Sequence, residues 1–128
     1  MSSRSLPDRM GYRPGHRARI LGLPEGFTMF EGLAIGDPAD WHAAFVRDAS
    51  SVAAMAPDIM SGYQRGQHLW FCYPKLSGHI RTDITRDKGW EPLMALDLLP
   101  VTQVAVDETW SALRFRYRDE IKTLTRKF

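Results

Sequence analysis

One cysteine in 128 residues excludes an internal disulfide. Cys72 sits inside an apolar run, where a structural thiol of a reducing cytoplasm is expected. No apolar run approaches the ~18 residues a membrane helix needs, and the opening MSSRSLPDRMGYRPGHR has no apolar leader core. A cytoplasmic chain is therefore expected. The phosphate-cradling glycine loops are missing too. After the first apolar run comes Gly22-Leu23-Pro24-Glu25-Gly26, and Pro24 removes an N–H that a pyrophosphate would need. No Gly-x-Ser-x-Gly elbow occurs. The four histidines, His16, His42, His68 and His79, are far apart and lack metal-ligand spacing. No metal and no cofactor are expected, and His42 and His68, each opening or lying in an apolar stretch, are expected to be structural.

What is present is a chain of one-domain length with ordinary globular composition, 44% hydrophobic and 25% charged. The net charge of +2 is unevenly spread. Residues 1–19 carry five arginines against Asp8, and residues 112–128 carry six basic groups against two acidic ones, whereas the middle is acidic. Either the basic ends form a polyanion-binding surface or they fold back on an acidic body. No run of four basic residues exists, which favours the second and ranks nucleic-acid binding last.

Along the chain, residues 1–16 read as a flexible arm and 17–128 as one domain. A short strand is expected near 17–22, and 27–40 is ambiguous, closing in the turn Gly36-Asp37-Pro38. WHAAFVRD (41–48) has strand character. Val52, Met55, Ala56, Ile59, Met60 and Tyr63 form one helical stripe over 49–63, capped by Asp48 or Ser50 and kinked by Pro57. HLWFCYP (68–74) is apolar enough for a strand covered on both faces. Residues 84–99 read as helical, becoming regular near Glu91. VTQVAVD (101–107) and ALRFRYR (112–118) read as a hairpin across a four-residue turn, and Ile121, Leu124 and Phe128 suggest a last helix. Strands alternating with helices imply an α/β fold. We expect a three-layer, Rossmann-like domain of about five strands, mostly parallel, with one antiparallel hairpin strand.

In such a sheet ligands bind beyond the carboxyl ends of the parallel strands. That edge is predicted to collect Arg47, Lys75, Asp83, Asp107, Glu108 and Trp110, a polar site for a small anionic ligand or a protein partner. Arg114 and Arg116 share one face of the last strand and are candidate anion contacts.

Three segments carry a resemblance: YRPGHRARILGLPEGF, LWFCYPKLSGHIRTDITRD and VAVDETWSALRFRYRDEIKTLTRK. Together they resemble a group of short bacterial proteins known only as a domain of unknown function, which looks like a pared-down class I methyltransferase. The resemblance implies a Rossmann-like sheet ending in a reversed hairpin strand, with 66–74 as the strand after the turn Arg65-Gly66-Gln67. It implies no particular activity. The leading expectation is a non-enzymatic ligand- or partner-binding module on a degenerate methyltransferase-like scaffold. The alternative is a small enzyme acting on an anionic metabolite, with Lys75 as anion holder or base.

Overall fold

The most apolar stretches become the middle of one mixed sheet. In the computed structural model, which describes residues 5–76, 78 and 80–121, the chain runs α1 (Leu6–Arg9), β1 (Ala18–Leu21), β2 (Trp41–Phe45), α2 (Ala49–Met60), β3 (His68–Pro74), α3 (Glu91–Met94), β4 (Leu98–Ala105) and β5 (Trp110–Tyr117). A 3-10 turn over Arg118–Glu120 follows. Strand order is β1-β2-β3-β5-β4. The β1–β2 and β2–β3 ladders are parallel, while β5 is antiparallel to both β3 and β4. Strands β1 to β4 thus point one way and β5 alone is reversed, one place in from an edge.

All five residues of β2 are buried, as are six of the seven in β3. Both faces of these strands are covered, as their unbroken apolar sequence demands. On one face Ala44, Leu69, Phe71, Leu113 and Phe115 meet Val52, Ala56 and Ile59 of α2 and Leu93 of α3. On the other, Trp41, Phe45, Trp70 and Ala112 meet Leu6, Met10 and Phe30. The second face has no long helix: it is covered by α1 and by the irregular chain between β1 and β2. Aromatic edge-to-face contacts fasten that chain, with Phe27 5.0 Å from Phe45 and Phe30 5.3 Å from Trp41. A parallel bridge from Ile35 to Ala18 closes part of the β1 edge.

Helix α2 begins where its cap dictates. The Asp48 carboxylate accepts from the Ser51 N–H at 2.9 Å, which settles the choice between Asp48 and Ser50. The regular helix stops at Met60, short of Tyr63. Pro57 lies on its exposed side.

Two expectations are corrected. Residues 84–99 are not one helix: only Glu91–Met94 is helical, Thr85 and Lys88 pair across a tight turn, and β4 starts at Leu98. Asp97, at φ +68°, turns the chain out of the helical path. Pro100 then falls in β4, which is an edge strand and can accept a residue without an N–H. The register shifts beside it, between Pro100 and Thr102. Within the stretch expected as a flexible arm, Leu6–Arg9 is helical and Met10 is fully buried. Its carbonyl accepts from both Trp41 Nε1 and Trp70 Nε1 at 2.8 Å. The expected last helix, beyond residue 121, lies outside the described residues.

Candidate functional site

The carboxyl ends of β1, β2, β3 and β4 and the start of β5 share one edge of the sheet. Gly22 ends β1 at φ +71°, and a Cβ there would stand 2.8 Å from the Phe45 carbonyl oxygen, so only glycine passes this close to β2. Of the residues predicted for this edge, Arg47, Asp107 and Trp110 line one cleft and Lys75 another, while Asp83 and Glu108 line neither.

The first cleft, about 290 Å³, is lined by Glu25, Phe27, Arg47, Ile80, Asp107 and Trp110. It brings Arg47, Asp107 and Trp110 together as expected. Its charges are one cation against two carboxylates, the wrong balance for an anion. Asp107 is also committed elsewhere. Its Oδ1 accepts from the N–H groups of Thr109 and Trp110, both at 2.8 Å, and so shapes the β4–β5 turn. Trp110 is buried with its ring 5.2 Å from Phe45. Glu108 is exposed on the same turn and lines neither cleft.

Lys75 lies on the other side. It lines a cleft of about 380 Å³ with Tyr73, Ile84, Arg86, Gln103 and Ser111. Here the lining charges are two cations and no carboxylate. Arg86 meets Asp87 at 3.3 Å, but both side chains are more than half exposed, so this pair is worth little. The floor is polar and organised. Gln103 Nε2 donates to the Tyr73 hydroxyl at 2.9 Å and to the Ser111 hydroxyl at 3.1 Å. Both oxygens then accept from the amide and Ser111 also bonds Tyr73, which leaves the Tyr73 hydrogen free to turn toward a ligand. Burial raises the Tyr73 phenol above its ordinary range, so it remains a neutral donor at pH 7.

Asp83 joins neither group. Its Oδ1 accepts from the Ala49 N–H at 2.8 Å, satisfying an orphan donor at the start of α2. The role visible for it is a helix cap. Gln103 and Ser111 were missed, although a signal existed. Ser111 falls in phase with Leu113, Phe115 and Tyr117, so it is the polar member of an otherwise apolar stripe.

His42 and His68 sit far from both clefts. His42 is fully buried, and its Nε2 lies 2.7 Å from Gln67 Oε1. That oxygen also accepts from the Gln64 N–H, so His42 carries its proton on Nε2. Burial lowers its pKa, and burial lowers that of His68 to about 4. Cys72 is enclosed, and burial pushes its thiol well up. Among the described residues no three His, Cys, Asp or Glu side chains converge as metal ligands would. None of their helices is long and apolar enough to cross a membrane. No protein-family model and no curated protein sequence matches the chain.

Proposed function

We propose that this chain is a non-enzymatic binding module for a small anionic ligand, seated in the Lys75 cleft of a degenerate, Rossmann-like methyltransferase scaffold. The observation that carries the reading is the charge and donor inventory of that cleft. Lys75 and Arg86 supply two positive charges, and the paired hydroxyls of Tyr73 and Ser111, held by Gln103 Nε2, supply a neutral donor. Hydrogen bonds to an ionised partner are the strong ones, about 1.5–3 kcal/mol each. The described lining holds neither histidine nor carboxylate, so binding is favoured over turnover.

The scaffold half of the proposal draws on the reversed strand β5, which the sequence resemblance implies. The chain between β1 and β2 supports the word degenerate. It contains no helix, and Pro24 stands in the turn after β1, where a cofactor loop needs N–H groups. S-adenosylmethionine is accordingly expected to produce no thermal shift at millimolar concentration.

The test is a thermal-shift titration with small carboxylates, sulfate and phosphate esters. A ligand present at ~100 times its Kd adds about 2.7 kcal/mol. Lys75→Met and Tyr73→Phe are each expected to weaken it by roughly tenfold, or ~1.4 kcal/mol. An anion that binds both variants as tightly as the native protein sinks the reading.

A further inference from the structure

The opposite face of β5 presents a different problem in charge. Arg114 and Arg116 are two residues apart on one strand, so their Cα atoms lie about 7 Å apart and both side chains leave the sheet on the same side. That side is the one away from α2, because Leu113 and Phe115 fill the helical core. Both guanidinium groups are partly buried, and the Nε of each is enclosed without a hydrogen-bond partner. The contact found for Arg114 is one long bond, 3.4 Å, to the Gln67 carbonyl. For Arg116 it is Glu120, at 3.7 Å, too far for a hydrogen bond.

Glu120 offsets the pair only in part, with one negative charge against two positive ones, and its hydrogen bonds go to other groups. Its oxygens accept from the Tyr63 hydroxyl at 2.8 Å, the Tyr117 N–H at 2.8 Å and the Gly66 N–H at 2.9 Å. Among the described residues, the other charged neighbours add positive charge. His68 is close enough to Arg114 and Arg116 to feel both, and Arg13 and His16 feed the same field. Arg13 is paired with Asp8 at 2.9 Å. Among the described residues, two half-buried guanidinium groups face one distant, shared carboxylate, which leaves a positive charge uncompensated. Such a charge is costly unless an anion completes it.

We propose that Arg114 and Arg116 form a second anion site, on the face of the sheet opposite the Lys75 cleft, which takes a phosphate-type dianion. Two guanidinium groups rooted ~7 Å apart can each present a pair of N–H groups to one tetrahedral oxyanion set between them. Neutral His68 borders the site as a further hydrogen-bonding group. The dianion supplies acceptors to the terminal Nη groups, since both Nε atoms are enclosed, and adds to the single negative charge of Glu120. The phosphate can be inorganic or the terminal group of a small metabolite. A terminal phosphate is favoured over a polymer backbone, since its second charge and third free oxygen let both guanidinium groups bond one phosphate.

The test is equilibrium dialysis of the native protein at pH 7.5 with labelled inorganic phosphate, alongside melting in phosphate or in chloride of equal ionic strength. Saturable uptake of phosphate and a melting rise beyond that in chloride are expected. Arg114→Met and Arg116→Met keep the apolar stems and should each cut phosphate affinity at least tenfold. In phosphate-free buffer Arg114→Met should melt no lower than the native protein, since it removes an unpaired charge. Lys75→Met should leave intact the part of the phosphate uptake that Arg114→Met abolishes. Equal shifts in phosphate and chloride overturn the proposal. So does a response to a single-stranded oligonucleotide with none to phosphate. Uptake lost in Lys75→Met but kept in Arg114→Met places the anion in the Lys75 cleft, and the arginine site then falls while the reading of that cleft stands.

Discussion

His68 shows how much one side chain can be constrained by its surroundings. It opens β3 against the backbone of Gly11, which has φ +86° and where a Cβ would overlap the imidazole. Burial lowers its pKa first, and the nearby charges of Arg114, His16, Arg13 and Arg116 lower it further, to about 4. In the unfolded chain the same group titrates near 6.5. A depressed pKa means that protonation favours the unfolded state. The contribution to stability is therefore complete above pH 6.5 and is lost as pH falls through 4. His42, also lowered by burial, acts in the same direction. We predict that denaturant melts across pH 7 to 4 will show a fall to which His68 contributes on the order of 2 kcal/mol, allowing for its partial exposure. His68→Gln should flatten that slope whatever it does to stability at pH 7. Parallel pH curves for the two proteins would exclude this account.

At the scale of elements, the long helix was readable because its stripe repeats at i, i+3 and i+4, and the central strands because they are apolar throughout. In 84–99 the signal misleads, because Trp90, Leu93, Met94 and Leu98 fall at the spacing of a helical stripe. Leu98 instead pairs with Tyr117 at the far end of β5, a contact no local window contains. The candidate site was half legible for a related reason. Topology told which residues reach the carboxyl edge, but the division into two clefts depends on side-chain direction beyond the strand ends. Asp83 illustrates the loss. Its position along the chain suggests a ligand group, and its Oδ1 accepts from the first N–H of α2, sharing the capping with Asp48, which bonds Ser50 and Ser51. Asp83→Ala is thus expected to cost about 1 kcal/mol, typical of a lost cap. Asp83→Asn keeps an acceptor oxygen and should cost little. Urea denaturation of the two variants decides it. Equal losses, or a change in anion affinity with unchanged stability, would return Asp83 to the binding site.

For the whole molecule, the distribution of charge was legible only in part. Arg65 clamps Asp119 through two bonds, at 2.9 and 3.0 Å, and Arg118 reaches Asp97 at 3.0 Å. The second pair joins the basic end to the acidic middle, while Arg114 and Arg116 are left outside that pairing. The asymmetry of the two sheet faces was the least visible feature, since no periodic pattern marks the segments that cover the second face. Leu6 and Met10 stand at i and i+4, too short a pattern to register amid proline, glycine and arginine. Yet they form part of the lid over Trp41 and Trp70. Removing residues 1–11 would expose that apolar surface, at about 1.5–3 kcal/mol for each large side chain uncovered. It would also strip the shared acceptor from two indole N–H groups, about 1–3 kcal/mol each if they remain enclosed. Solvation of the newly opened face offsets part of the second cost, so a net loss of roughly 5 kcal/mol is expected, comparable to the whole stability of many domains. A chain beginning at Tyr12 should then be largely unfolded at 37 °C by circular dichroism. If it instead melts cooperatively within a few degrees of the full chain, the segment before Tyr12 is dispensable to the fold.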